Sequence, residues 1–311
     1  MKGLKVFCVW VLAIAVTVVD GQSRIAYLKT RENKELDSKE WTSNLNIINI
    51  PFQFSGTNFL IEADLGAKTG LFLLDTGSPA LVINKPHPKK EVDASGVHAP
   101  LDVEDTTVKS LKINEVEWKN IPAYAVDLRQ LEVKNRVSIL GLVGYGLLKK
   151  HELMIAPKEH MLYLLDSDES FFQSLPQPLA KTAVTLVDHL PIIEIEIEGR
   201  TWRFGIDTGA ESNLISEKCL AALSSTFYQE KGIDNVRGLD KKVKSCKIVE
   251  INEIGIGGLH FENLNFTEMN FDHIAEQIGL PLDGIIGSAL LSKMKFSINY
   301  RKKNFKIWEK Y

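Results

Sequence analysis

The chain has 311 residues, 44% hydrophobic and 25% charged, proportions of a folded globular protein that exclude a disordered, collagen-like or polytopic membrane chain. Its net charge is −3 with no long block of one sign, which speaks against a nucleic-acid partner. The length suits two domains of ordinary size.

At the N-terminus Lys2 and Lys5 precede an apolar run from Val6 to Val19, and Gly21 follows with Val19 two residues before it. That run is shorter than the roughly 20 residues a spanning helix needs. Residues 1–21 therefore read as a secretory signal peptide, with an uncleaved anchor as the alternative. Export to a periplasm or to the medium is expected, without stable membrane insertion after cleavage. Residues 22–44 are polar, lack clear periodicity and read as an N-terminal lead.

From residue 45 onward the elements read mostly as strands. Leu71 to Leu74 is a continuous apolar run, the pattern of a fully buried strand, and it ends in Asp75-Thr76-Gly77. Gly141-Leu142-Val143-Gly144 follows, then a short helix-like stretch and a hairpin with Leu153 to Ile155 and Met161 to Leu165 as its arms. Asp166 to Ser170, with Pro176 and Pro178 beyond, suits a connection, which puts a boundary near residue 175. Ile192 to Glu198 then alternates Ile and Glu as a half-buried strand does, and Asp207-Thr208-Gly209 follows. Gly284-Ile285-Ile286-Gly287 precedes a second hairpin, Phe296 to Ile298 against Phe305 to Trp308, whose Arg301-Lys302-Lys303 reads as a solvated tip.

These elements repeat. A shift of 132 carries Asp75-Thr76-Gly77 onto Asp207-Thr208-Gly209, and a shift of 143 carries Gly141 to Gly144 onto Gly284 to Gly287, so the second copy holds an insertion of 11 residues. The expected fold is mostly β, with two similar lobes at 45–175 and 176–311.

The paired Asp-Thr-Gly turns carry the chemistry. One alone is an ordinary tight turn, with Asp bonding its own backbone. Two carboxylates brought within hydrogen-bond reach cannot both ionise cheaply, so they share a proton. The ionised member then takes a proton from water while the protonated member donates to a carbonyl oxygen. Thr76 and Thr208 are short enough to tie the turns together, and Gly77 and Gly209 let backbone pass close to the acids.

The two turns, each followed by an apolar-apolar-Gly element, resemble the aspartic peptidases of the pepsin and retropepsin type over about residues 45 to 308. The resemblance is to two retropepsin-sized lobes fused in tandem, so one chain suffices and a monomer is expected. It implies that the lobes are β-barrels related by an approximate twofold axis. It also implies Asp75 and Asp207 as the catalytic pair, interlocked hydrogen bonds from Thr76 and Thr208, support of the adjacent aspartate by the Ser78 hydroxyl, and contact of Glu211 with substrate backbone. A solvated or Arg-paired carboxylate is the alternative for Glu211. Gly96 and Gly238 mark candidate flap regions, although neither a flap Tyr nor a Gly-rich tip is clear there.

No zinc-protease helix, phosphate loop or nucleophilic Ser elbow is present, and no metal or cofactor is implied. Cys219 and Cys246 either close a disulfide, as two thiols of an exported chain often do, or remain separate buried thiols. The expected function is an exported aspartic endopeptidase acting on peptides or proteins. The alternative is a non-catalytic peptide-binding protein of the same fold. A two-carboxylate glycosidase needs acids roughly 5 to 10 Å apart and no such repeat.

Overall fold

The computed structural model describes residues 14–19, 22–27, 41–42, 47–85, 103–165, 176–237 and 243–311. It is 61% strand and 12% helix, with a closed six-stranded barrel of the kind found in aspartic proteases. No helix among the described residues is long and apolar enough to cross a membrane. Part of the N-terminal lead is described. It holds the strands Gln22–Tyr27 and Trp41–Thr42, and Gln22–Tyr27 pairs antiparallel with Ile14–Val19, where β-branched residues favour extended backbone. The connection at residues 166–175, on which the predicted boundary falls, lies outside the described residues.

Each copy of the repeat builds the same ring of six strands. In the first, the hairpin Asn58–Leu65 and Lys68–Leu74 continues through Ile139–Val143, Leu81–Asn84, Val116–Val126 and Glu104–Ile113, and Asp64 opposite Lys112 closes the ring. In the second, Leu190–Ile197 and Arg200–Ile206 continue through Gly284–Ile286, Asn213–Ser216, Leu259–Met269 and Val243–Ile256, closed by Glu196 opposite Gly255. The strand Val116–Val126 and the helix Arg129–Asn135 map by the shift of 143 onto Leu259–Met269 and the helix Asp272–Ile278. The insertion therefore lies upstream of residue 259, on the side of the helix Glu217–Ala222.

Local sequence explains the central hairpins. Leu190–Ile197 alternates buried and exposed residues along most of its length, and its turn residues Glu198 and Gly199 have φ of 52° and 68°, the geometry of a tight two-residue hairpin turn. The strands that end in the Asp-Thr-Gly turns finish on fully buried residues, Leu73 and Leu74 in one copy and Phe204 and Ile206 in the other.

A separate antiparallel arrangement joins the copies. The expected hairpins form as Glu152–Ala156 with Met161–Leu165 and Met294–Asn299 with Asn304–Lys310. Their inner strands pair with each other, Leu153 opposite Ile298 and Ile155 opposite Phe296, and residues 47–51 and 180–183 cover the outer edges. One apolar cluster runs through both copies by way of this sheet, from Phe59 and Phe72 through Leu153, Ile155, Phe296 and Ile298 to Phe204 and Phe266.

Within the shared sheet Glu152 is 1% exposed and accepts from Ser297 Oγ at 2.6 Å, Asn299 Nδ2 at 2.9 Å and Lys306 Nζ at 2.9 Å. A buried charge stripped of its partner is costly. Lys306→Ala is expected to destabilise the protein by about 3 kcal/mol in urea unfolding, and adding Glu152→Gln should recover most of the loss. An unchanged unfolding midpoint for Lys306→Ala rules out a structural role for the pair.

Candidate active site

The two Asp-Thr-Gly turns meet where the copies touch. Each begins at the end of its buried strand and is held from behind by its glycine element: Asp75 N–H donates to the Val143 carbonyl at 2.9 Å and Asp207 N–H to the Ile286 carbonyl at 3.1 Å. The backbones run tightly together beyond that point. Tyr145 N–H donates to the Ser78 carbonyl at 2.8 Å and, at the matching place, Ser288 N–H to the Ala210 carbonyl at 2.7 Å. A side chain on Gly144 or Gly287 would come within 2.5 Å or 2.3 Å of a backbone carbonyl, which explains the second glycine of each element.

Thr76 and Thr208 exchange hydrogen bonds across the junction. Thr76 N–H donates to Thr208 Oγ1 and Thr208 N–H to Thr76 Oγ1, both at 3.0 Å. Each hydroxyl also donates onward across the junction, Thr76 to the Ile206 carbonyl at 3.2 Å and Thr208 to the Leu74 carbonyl at 2.9 Å. Both residues are fully buried, so all these polar groups depend on one another for partners.

This lock brings Asp75 and Asp207 together, both fully buried. Gly77 N–H reaches Asp75 Oδ1 at 3.1 Å and Asp207 Oδ1 at 3.2 Å, so one amide bridges both acids. A β-carbon on Gly77 would stand 2.5 Å from the Asp207 carboxyl carbon, and one on Gly209 the same distance from that of Asp75. No larger residue fits at either place. The remaining oxygen of each acid, Oδ2, is buried and receives no amide or hydroxyl donor, and the two carboxyls hydrogen-bond each other.

The electrostatics follow from this seating. Burial raises the pKa of both carboxyls, and the charge of Asp207 raises that of Asp75 further, well above the usual carboxylate range. The copies differ here. Asp207 receives backbone N–H groups from Gly209, at 2.8 Å, from Ala210 and from Gly77, whereas Asp75 receives those of Gly77 and Ser78. Better solvation by amides favours Asp207 as the anion and Asp75 as the carrier of a shared proton.

The other predicted residues divide. Ser78 supports Asp75 through its backbone N–H, not through its hydroxyl, which donates to the Ala80 carbonyl at 3.1 Å because the tight turn aims it there. Glu211 has its carboxylate ion-paired to Lys134 of the first copy's helix Arg129–Asn135, and so bridges the copies. Gly96 and Gly238, the flap candidates, lie outside the described residues. Cys219 and Cys246 form no disulfide. They are buried in different apolar clusters, Cys219 in the main core and Cys246 with Leu190, Ile192 and Phe271, and burial pushes the Cys219 thiol up.

Sequence reasoning missed Lys134, Thr57, Ser288, His189, Tyr145 and Tyr300. Thr57 Oγ1 contacts Ser288 Oγ at 2.9 Å, and Ser288 Oγ donates to the Ala210 carbonyl at 3.0 Å. Tyr300 is buried close enough for both aspartates to push its hydroxyl pKa upward, after the larger effects of burial and Tyr145. The repeat held a signal for four of the six, since the shifts of 132 and 143 pair Thr57 with His189 and Tyr145 with Ser288.

Residues 193–290 match the family model described as aspartyl protease, a span that contains Asp207-Thr208-Gly209 and the Gly284 to Gly287 element. No curated protein matches the chain. The match lies wholly in the second copy, and the first is tied to it by the repeat and by the shared geometry.

Two outcomes are expected. Thr208→Val strands the Thr76 N–H and the Leu74 carbonyl and should cost about 2–4 kcal/mol in chemical denaturation, with Thr208→Ser losing less than about 1; equal stability of all three proteins rejects the lock. The raised carboxyl pKa of the dyad stabilises the fold below the ordinary carboxylate range and is felt as a penalty as pH rises through the folded value. Asp75→Asn should therefore melt above wild type at about pH 8, with the gap closing near pH 3, and a pH-independent gap contradicts the assignment.

Proposed function

We propose that the protein is an exported aspartic endopeptidase in which Asp75 and Asp207 activate water for hydrolysis of peptide bonds, in a cleft between lobes at 45–175 and 176–311. The match of residues 193–290 to the aspartyl protease family supports peptidase activity in general. The observation that carries the finer reading is the single amide, Gly77 N–H, in hydrogen-bond range of both carboxylates.

In this reading water lies against the pair. Asp207 takes its proton as the oxygen attacks the carbonyl carbon of the peptide, while the proton on Asp75 passes to the carbonyl oxygen. Collapse of the tetrahedral intermediate breaks the carbon–nitrogen bond as the nitrogen takes up the proton held by Asp207, and Asp75 regains its own from the hydroxyl that becomes the new carboxyl group. The two orphaned Oδ2 atoms are the natural acceptors for these exchanges. Since both acids are buried, a peptide reaches them only by displacing the groups that cover them. Export rests on the N-terminal apolar run alone.

Retention of both acids in a locked, proton-sharing arrangement disfavours a non-catalytic peptide binder, which has no use for the repulsion it costs. The test is hydrolysis of an unfolded protein or peptide library from acid to neutral pH, with and without a statine transition-state mimic. Asp75→Asn and Asp207→Asn should each lower cleavage by about a thousandfold or more with the fold intact. Statine-insensitive hydrolysis that survives in both variants removes the assignment.

A further inference from the structure

Positions 57 and 189 are the same point of the repeat, the tip of the hairpin one strand ahead of each aspartate-bearing strand, and positions 145 and 288 both open the short helix after a glycine element. In the structure each hairpin tip crosses to the other copy and meets that helix. Thr57 meets Ser288 and also donates to the Glu211 carbonyl at 3.3 Å. At the mirrored place His189 meets Tyr145, with ring centroids 6.5 Å apart, and Tyr145 stacks edge-on against Tyr300 at 5.1 Å. A pair of small hydroxyls is thus replaced on one side by an imidazole and two phenols.

His189 is fully buried, and its ring donates an N–H to the Gly77 carbonyl. Gly77 is the residue whose own N–H bridges the two acids. We propose that His189 is a positioning residue for the dyad, an imidazole that reaches from one copy to fix the first Asp-Thr-Gly turn of the other, so that the Gly77 amide stays between the carboxylates. The inference rests on the peptidase reading for its consequence in catalysis, but the contact itself does not.

Burial pushes the imidazole down to about 4, against which the Gly77 hydrogen bond and the charge of Asp188 act in the opposite direction. The ionisable groups around it are Asp188 on its own turn, Tyr145 on the facing helix with Tyr300 behind, and, across Gly77, Asp75 and Asp207. For a histidine with a lowered folded pKa, the neutral contact is at full strength above the ordinary value of about 6.5 and is lost as pH falls through about 4. A charged ring is poorly solvated when fully buried, so protonation favours withdrawal of the tip and release of Gly77. His189 therefore sets an acid limit to activity.

The test uses the full chain and two variants, His189→Gln, which keeps a donor and cannot titrate, and His189→Leu, which keeps volume and loses the donor. Amide exchange over residues 72–80 and kcat/KM against pH are the readouts. At about pH 6, His189→Leu is expected to speed exchange at Gly77 and lower kcat/KM about tenfold, the worth of one buried hydrogen bond. His189→Gln should stay within about threefold and hold its activity about one pH unit further into acid than wild type. Wild-type exchange and turnover in His189→Leu, or an unchanged acid limb in His189→Gln, overturns the proposal. A wild-type chain that cleaves nothing while His189→Leu still loosens the turn rejects the peptidase reading and leaves the contact. If His189→Leu does not fold, the pH profile of His189→Gln decides.

Discussion

Two buried carboxylates placed side by side repel each other unless they hold a proton between them, and the protein is built around that constraint. Nothing in the local chemistry of Asp75 or Asp207 favours their meeting. The opposing forces come from elsewhere: reciprocal threonine bonds beneath the turns, amides aimed at Oδ1, and a sheet shared by the two copies that keeps the aspartate-bearing strands from drifting apart. The continuous apolar cluster through that sheet means that separating the acids requires opening the core as well.

Internal symmetry places the acids, and departures from symmetry give them different roles. The backbone frame is nearly the same in both copies, down to the donors and acceptors behind each turn. Side chains and amides are not. Asp207 collects more N–H groups than Asp75, Glu211 pairs with Lys134 where the first copy has Pro79, and His189 and Tyr145 stand where the other side has Thr57 and Ser288. Symmetric surroundings would leave the proton evenly shared, whereas here the extra amides favour the anion on Asp207.

Much of this was legible in the sequence because the repeat preserves residue type wherever backbone passes close to backbone. The glycines of both elements and both turns stand in place because no β-carbon fits, and the strands between them keep buried apolar runs. The hairpins after the glycine elements were readable from short apolar segments flanking turn residues. What escaped were partners set by tertiary distance. Glu152 finds Lys306 far along the chain, Lys134 finds Glu211 from a helix with no motif, and the hydroxyl of Ser78 turns to its neighbour. For the cysteines the sequence left a disulfide and separate buried thiols both open, since their presence in one half of the chain carried no information about the separate clusters they enter.

The central claim is that Asp75 and Asp207 jointly hold one proton at a pH where ordinary carboxyls are ionised. Infrared difference spectroscopy reads it directly, as the carbonyl stretch of a protonated carboxylic acid in wild type minus Asp75→Asn and in wild type minus Asp207→Asn at about pH 6. One protonated carboxyl, lost in both variants, is the predicted result. Two fully ionised carboxylates, or a protonated band that survives in both variants, contradicts the account.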